Sequence, residues 1–318
     1  MQPTQAAALR TADLADVTAI AMDRLTGLIG RGGVVVLSGA GLSTESGIPD
    51  YRGETGAQRH VQPMTYQTFT RDAVARRRYW ARSHLGWRTI GRATPNAGHH
   101  AVTALQRGGL IAGIITQNVD GLHQASGSQS VIELHGSLAD VICLDCGEIM
   151  HRLELDRRLR EANPAFDAQV AVINPDGDVE LADEDLNRFH FVDCGVCIRG
   201  TLKPNVVFFG ESVPKPRVEE SFAVVESARA LVVLGSSLTV MSGRRFVLRA
   251  MKLGIPVAIV NRGVTKESHR ADLVVDAPLG TVLPLVAEAC AQRRQGSAAT
   301  PAATGGESMD PGAVTVPA

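Results

Sequence analysis

The sequence predicts an α/β protein, in which a doubly wound parallel sheet carries helices on both faces and a smaller module is inserted. Continuous apolar runs alternate with stretches of helical spacing, which is typical of buried parallel strands joined by helices. The first run, Val34–Leu37, leads directly into Gly39-Ala40-Gly41, a turn with which doubly wound proteins bring backbone N–H groups to a phosphate. Between about 138 and 204 the apolar runs shorten, which marks the insertion.

The sequence predicts both helices and strands. Apolar positions in 17–31 are spaced as in a helix, and 243–252 and 281–294 also have helical character. The segment 54–100 is rich in Arg, His and Gln and predicts helices joined by loops. The predicted strands are Val34–Leu37, Gly109–Thr116, Val131–Leu134, Leu231–Leu234, Pro256–Val260 and Leu273–Val275.

Changes of composition suggest the domain boundaries. An N-terminal extension, 1–24, precedes a folded region at 25–295, and the tail 296–318 is predicted to be disordered because it has no periodic apolar face. The folded region divides into a large α/β part (about 25–53, 101–137 and 205–295), a helical insert (about 54–100) and a cysteine module (about 138–204).

Composition and charge exclude some classes of partner. The 318 residues are 44% hydrophobic and carry a formal net charge of −1, so bulk attraction to nucleic acid or to an anionic membrane is not expected. No apolar run reaches the ~18 residues that would suggest a membrane span. The first residues lack the basic start and apolar block of a secretory signal. We therefore expect a cytoplasmic protein.

Four of the five cysteines form two pairs, Cys143-x-x-Cys146 and Cys194-x-x-Cys197. Two such spacings in an intracellular chain indicate a tetrahedral zinc site of the ribbon type. Four thiolates close the coordination shell, so the metal is expected to be structural. The alternative is two unrelated cysteine pairs buried in a core.

Polar residues follow several predicted strands at the edge where open parallel sheets bind ligands. Gln117, Asn118, Val119 and Asp120 follow the second strand and could orient a water or a carbonyl, although a polar turn capping a helix would look the same. His135 follows the third strand and could act as a general base. His99, His100 and His123 compete with it on composition alone. Gly235-Ser236-Ser237 and Asn261-Arg262 end two later strands.

A short apolar run, Lys203–Glu211, follows the cysteine module and is limited by Pro204 and Gly210. It could be a core strand. It could equally be an exposed edge to which an extended peptide adds itself through main-chain hydrogen bonds.

In combination and in this order, the motifs resemble those of the sirtuins, the NAD-dependent protein deacylases. The resemblance covers about residues 25–290, and Tyr51-Arg52 with Arg78–Arg82 is most similar to class II, the class of the mitochondrial sirtuin with weak deacetylase activity. The matching pieces are Gly39-Ala40-Gly41, Ile48–Arg52, Gln117–Asp120, His135-Gly136, the two cysteine pairs, Lys203–Glu211 and Gly235–Ser237.

The resemblance implies a Rossmann-like large domain, a smaller zinc-and-helix domain, and a cleft between them for NAD and an acylated peptide. It implies that His135 is the catalytic base and that Asn118 assists. The implied NAD-binding residues are Gly39, Ala40, Gly41, Thr44, Pro49, Asp50, Tyr51, Arg52, Gln117, Asn118, Val119, Asp120, Gly235, Ser236, Ser237, Asn261, Arg262, Gly263 and Leu279. The implied peptide-binding residues are Val206, Val207, Phe208, Phe209, Gly210 and Leu238. The implied zinc ligands are Cys143, Cys146, Cys194 and Cys197.

The resemblance further implies an activity: removal of an acyl group from lysine with release of nicotinamide and O-acyl-ADP-ribose. ADP-ribosyl transfer to protein or lipoamidase activity is the alternative, and a non-catalytic NAD-binding module is less favoured. Members that prefer dicarboxylic acyl groups carry a Tyr-x-x-Arg pair, where this chain has Ser83 and Gly86. A preference for succinyl-lysine is therefore not expected.

Overall fold

The structure is a computed structural model that describes residues 19–50, 63–166, 186 and 188–298. The strands are β1 (Val34–Ser38), β2 (Ile111–Thr116), β3 (Val131–Glu133), β4 (Gly136–Cys143), β5 (Ile149–His151), β6 (Leu202–Val206), β7 (Ala230–Leu234), β8 (Val257–Val260) and β9 (Leu273–Val275). The helices are α1 (19–30), α2 (Tyr66–Arg71), α3 (Ala73–Ile90), α4 (Ala97–Arg107), α5 (Leu122–Ala125), α6 (Arg152–Ala162), α7 (Lys215–Glu226), α8 (Met241–Lys252) and α9 (Leu279–Ala298).

Six strands form a parallel sheet in the order β3-β2-β1-β7-β8-β9. Strands β1, β2 and β3 follow one another toward one edge of the sheet, and β7, β8 and β9 follow one another toward the other edge. The strand order therefore reverses between β1 and β7. Ser38 and Leu234, the last residues of β1 and β7, lie side by side in the register. In open α/β sheets, ligands bind outside the carboxyl ends of the strands at such a reversal.

The side chains of β1 alternate between the two faces of the sheet. Val34 and Val36 pack on one face against α1, α4 and α9. Val35 and Leu37 pack on the other face against α7 and α8. Each fully buried Val or Leu contributes about 1.5–3 kcal/mol relative to an exposed one, so this central strand is anchored from both sides. The doubly wound architecture predicted from the sequence is confirmed.

The second domain has its own sheet and core. Strands β5, β4 and β6 form an antiparallel sheet in that order, which leaves β6 at an edge. Its core joins this sheet to α2, α3 and α6 around Phe69, Tyr79 and Trp80. Trp80 donates to the Leu202 carbonyl at 3.0 Å, so the helical insert is bonded directly to β6.

Two helices differ from the sequence prediction. Helix α4 begins at Ala97 because Asn96 caps it through the N–H groups of Gly98 and His99, and it packs on the large sheet. Residues 97–100 therefore join the large domain, although the predicted insert extended to 100. The last helix continues to Ala298, past the predicted end at 294 and through Pro284. None of the helices described is long and apolar enough to cross a membrane.

The loops after β1 and β7 cross in close contact, and this contact requires glycine. A Cβ on Gly39 would lie 2.8 Å from the Gly235 carbonyl oxygen, and one on Gly41 would lie 2.9 Å from the Gly235 Cα. Gly235 itself has φ of +61°, and its Cβ would lie 2.6 Å from the Leu42 nitrogen. The atoms in the way are backbone atoms, which cannot rotate aside.

We predict that Gly235→Ala lowers the free energy of unfolding by about 3 kcal/mol or more, because left-handed strain adds to a backbone collision. Gly254→Ala is the matched control: its φ is +71°, but no atom lies within 4 Å of the added Cβ. It should cost only about 1 kcal/mol. Urea unfolding of both variants checks this prediction, and equal losses would contradict it.

Candidate active site

A cavity of about 490 Å³ lies between the two domains, at the reversal point of the large sheet. The loops after β1, β2 and β7 form one wall, and β6 with the segment that follows it forms another. His135, in the short link between β3 and β4, lines the cavity where the two sheets meet. The cavity therefore gathers the polar strand ends that the sequence singled out.

Most predicted NAD- and peptide-site residues line this cavity. They are Gly39, Ala40, Gly41, Pro49, Asp50, Gln117, Asn118, Val119, Asp120, His135, Val206, Val207, Phe208, Phe209, Gly210, Gly235, Ser236, Ser237, Leu238, Asn261 and Arg262.

The other predicted residues lie elsewhere. Thr44 donates to the Gly41 carbonyl at 3.0 Å, and the Gly263 N–H bonds to Asp276. Leu279 is buried in the core beside Gly235. Tyr51 and Arg52 fall outside the described residues.

The glycine turn differs from the expectation in one respect. The N–H groups of Gly39 and Gly41 donate to the carbonyls of Leu234 and Gly235, each at 2.9 Å. These two amides are satisfied by the protein and do not point at a ligand. The glycines instead allow two backbones to approach closely beside the cavity.

The His135 ring is held by a hydrogen bond at each nitrogen. Nδ1 lies 3.0 Å from the Gln117 carbonyl, which can only accept, so Nδ1 carries the proton. Nε2 lies 2.7 Å from the Ser242 hydroxyl and has its lone pair available. Burial lowers the pKa of His135, and the nearby cations of Arg217 and Arg245 lower it further. At neutral pH the ring is therefore neutral, as a base requires.

Ser43 connects Asn118 to Asp120 in the lining of the same cavity. Its hydroxyl donates to Asp120 at 2.6 Å and accepts from the Asn118 amide at 3.0 Å, while Asn118 also donates to the Gly39 carbonyl. Burial raises the pKa of Asp120, and hydrogen bonds from Ser43 and the Leu122 N–H oppose that rise. The network fixes the orientation of both side chains. Sequence reasoning missed Ser43, although it lies within the glycine-rich motif.

The competing histidines do not reach the cavity. His99 and His123 are fully buried, and burial lowers their pKa values to about 3 and about 4, so both are neutral. His123 Nε2 lies 2.9 Å from the Ser38 hydroxyl, which in turn donates to Thr116 beneath the strand ends. His100 is exposed on α4. Among the histidines described, His135 alone lines the cavity.

The segment after β6 is shaped by a buried lysine. The Lys203 ammonium lies 3.0 Å from Glu211 and donates to the Pro204 and Val206 carbonyls. Glu211 in turn accepts from the Phe208 N–H at 2.8 Å. Burial lowers the pKa of Lys203, and Glu211 opposes that shift. These bonds fix the conformation of the turn at 206–211, which carries most of the predicted peptide-binding residues.

The four paired cysteines converge, and their geometry fits a metal ion. All four sulfurs lie within 4.8 Å of one another, with Cys143–Cys197 at 3.7 Å and Cys146–Cys194 at 3.8 Å. A tetrahedron with Zn–S bonds of about 2.3 Å has edges of about 3.8 Å, which matches these separations. A Cβ on Gly200 would collide with two of the sulfurs, so glycine is required beside the cluster.

Comparisons with known proteins agree with this geometry. The Sir2 family model matches residues 39–242, and the chain belongs to the Sir2 family. NAD-dependent protein deacetylase 1 of Streptomyces coelicolor is 60% identical over 269 residues, which are 85% of this chain and 89% of that protein. NAD-dependent protein deacylase Sirt4 of Drosophila melanogaster is 44% identical over 260 residues, covering 81% of this chain and 83% of that one.

Solved structures of Sir2 proteins share the fold. One described as the structural basis for the mechanism and regulation of Sir2 enzymes has a TM-score of 0.68 at 31% identity, covering 86% of this chain and 98% of its own. A Sir2 protein bound to acetylated peptide has a TM-score of 0.67 at 28% identity, covering 84% and 97%. The family predicted from the sequence motifs is confirmed.

We predict about one zinc ion per purified chain by elemental analysis. Cys194→Ser should lose that zinc and lower the free energy of unfolding, because metal binding contributes directly to folding of such modules. Cys290→Ser is the matched control, since Cys290 is buried in α9 against α1 and outside the cluster. A folded wild-type protein without zinc would contradict the assignment.

Proposed function

We propose that this protein is an NAD-dependent protein lysine deacylase that releases nicotinamide, O-acyl-ADP-ribose and free lysine. The observation that carries the proposal is His135: a neutral imidazole whose unprotonated Nε2 faces the cavity in a chain of the Sir2 family. The names of its relatives, NAD-dependent deacetylases and a deacylase, support the same activity.

NAD fits the wall formed by the strand ends. When bound, it supplies an electrophilic C1′ that the acyl-lysine carbonyl oxygen attacks as nicotinamide leaves. Asn118 and Asp120, held by Ser43, face the space for the nicotinamide and its ribose. Ser236, bonded to the Gln117 amide at 2.8 Å, belongs with the adenosine side. Side chains already fixed by hydrogen bonds need little reordering on binding, which favours a defined reactive geometry.

His135 acts after nicotinamide has left. Nε2 takes the proton of a ribose hydroxyl, and the hydroxyl oxygen bonds to the acyl carbon of the imidate as its C=N π bond opens. Water then displaces the lysine amine, which leaves as free lysine. The Nδ1 proton stays on Nδ1, hydrogen-bonded to the Gln117 carbonyl, so the imidazolium that forms keeps its orientation. The zinc takes no part in these steps; the cysteine cluster supports β4 and β6, which pair at Cys143 and Leu202.

The acylated peptide binds along the segment from Val206 to Gly210. The main chain of this protein segment is itself held by two hydrogen bonds: the Val207 N–H donates to the His135 carbonyl at 2.7 Å, and the Tyr66 N–H donates to the Phe209 carbonyl. An extended peptide can add to this edge through main-chain hydrogen bonds. Because Val207 is bonded to His135, a peptide added along this segment would have its acyl-lysine beside His135. β6 itself is part of a core, and its continuation lines the cavity, which supports the peptide-edge alternative for that part of the run.

The acyl group meets an apolar part of the cavity. Ser83 and Gly86 are buried within α3 and do not line the cavity, and Arg152 from α6 contacts Ser83. The apolar lining residues on this side include Ile48, Met64, Ile90, Leu138 and Phe208. A carboxylate placed among these five side chains would lose its hydration, and none of the five offers it a cation.

The substrate is expected to be acylated lysine in proteins. Cytoplasmic location and the lack of nucleic-acid or membrane partners are further proposals, which rest on charge and composition.

We predict that His135→Ala lowers formation of O-acyl-ADP-ribose by at least about 100-fold, the scale of one general base. Exchange of labelled nicotinamide into NAD should persist, because that step needs no ribose base. His100→Ala, at an exposed histidine outside the cavity, is the control and should retain both activities. Full deacylation by His135→Ala would refute the mechanism. ADP-ribosyl transfer to protein that survives in this variant would favour the alternative activity.

We predict that acetyl-lysine and longer apolar acyl-lysines exceed succinyl-lysine by at least about tenfold in kcat/KM on one peptide sequence. The reason is the cost of burying a carboxylate among apolar side chains such as Ile48, Ile90 and Leu138. Nicotinamide release in the presence of NAD measures each acyl group. A kcat/KM for succinyl-lysine equal to or above that for acetyl-lysine would refute the apolar acyl site.

A further inference from the structure

Ser242 occupies a position beside His135 that the sequence motifs did not indicate. It is the second residue of α8, on the wall of the cavity that faces β3, and it lines the cavity itself. Its hydroxyl lies 2.7 Å from His135 Nε2. No hydrogen bond caps the first turn of α8 through a side chain, so this hydroxyl is not acting as a helix cap.

The direction of the hydrogen bond follows from the other ring nitrogen. The Gln117 carbonyl accepts from Nδ1, so a neutral ring has its lone pair on Nε2. Ser242 must therefore donate its proton to Nε2. The two bonds lie on opposite sides of the imidazole, and a flip of the ring would break both.

We propose that Ser242 is a positioning residue for the catalytic base: its hydroxyl restrains the His135 ring, whose tautomer the Gln117 carbonyl sets, with Nε2 directed at the place where the ribose hydroxyl reacts. This inference rests on the proposed function. Nε2 has one lone pair, so the ribose hydroxyl replaces the Ser242 hydroxyl when substrate is in place. Its proton then moves to Nε2, and its oxygen bonds to the acyl carbon. Ser242 does not itself transfer this proton.

The Ser242 hydroxyl can donate to the neutral ring and accept from the imidazolium, so it can restrain the ring in both protonation states. Two cations favour the neutral ring: Arg245 lines the cavity from α8, and Arg217 on α7 donates to the Leu134 carbonyl next to the ring. Both lower the pKa of His135, as does burial.

Two carboxyl groups lie on the other segments around the ring. Asp120 lines the cavity, and Glu133 precedes His135 on β3. Burial raises the pKa of each. A carboxylate would favour the imidazolium, and a raised pKa reduces that tendency.

The test compares Ser242→Ala with Ser242→Thr, which keeps a hydroxyl, in the full-length protein. The pH dependence of kcat/KM for O-acyl-ADP-ribose formation reports the base of the free enzyme. In Ser242→Ala, we expect the plateau at high pH to fall by about three- to tenfold, since the ring loses one of the two hydrogen bonds that orient it. The acid limb should keep its position, because the hydroxyl can donate to the neutral ring and accept from the imidazolium. Ser242→Thr should restore the wild-type plateau.

A second measurement does not depend on catalysis. NMR of the His135 ring in the substrate-free protein should show the Nδ1–H tautomer and one ring orientation in the wild type, and exchange between ring orientations in Ser242→Ala. An unchanged plateau together with an unchanged ring orientation would overturn the proposal. A plateau reduced by more than about 100-fold would also overturn it, because Ser242 would then belong to the path of the proton.

Failure of the proposed function gives a different result. If His135 is not the base, His135→Ala deacylates normally whatever Ser242→Ala does. If Ser242 has only a structural role, nicotinamide exchange and product formation fall together. The expected result is an exchange rate at the wild-type level while product formation falls in Ser242→Ala and returns in Ser242→Thr.

Discussion

The close crossing of the loops after β1 and β7 is the constraint on which the cleft depends. Gly39 and Gly41 pass so near to Gly235 that any Cβ would meet backbone atoms. At this crossing the ends of β1 and β7 lie together at the reversal point of the sheet. Hydrogen bonds from the Gly39 N–H to the Leu234 carbonyl and from the Gly41 N–H to the Gly235 carbonyl join them. The cavity can then open beside this junction, with the remaining strand ends arranged around it.

One of the chain's links between the two domains carries His135. It joins β3 of the large sheet to β4 of the small sheet, and its carbonyl accepts from the Val207 N–H. The residue proposed as the base is thus also bonded to the edge proposed to receive the peptide. Movement of the small domain would displace the acyl-lysine and the base together, which preserves their relative geometry.

The sequence predicted the sheet and most of the cavity because both follow from local patterns. Continuous apolar runs identified the six parallel strands within one or two residues, and polar groups after those runs identified the cavity wall. The cysteine spacing predicted a cluster that the sulfur separations support. These features need no knowledge of how distant segments pack.

Features that depend on packing could not be found in the same way. Ser43 and Ser242 are ordinary serines in the sequence, and they acquire roles only because Asp120 and His135 lie opposite them. The glycine turn suggested amides for a phosphate, yet its first and last amides bond to the neighbouring loop, which no local pattern reveals.

The state of His135 shows how several weak influences combine into one chemical property. A hydrogen-bond acceptor at Nδ1 by itself would favour the charged ring, because a carbonyl stabilises the imidazolium that donates to it. Burial opposes this effect, and the cations of Arg217 and Arg245 oppose it as well. The carbonyl therefore sets which nitrogen carries the proton, while burial and the arginines keep the second proton off. An imidazole arranged in this way is oriented as a base before substrate arrives, and the proton it receives has only Nε2 to occupy.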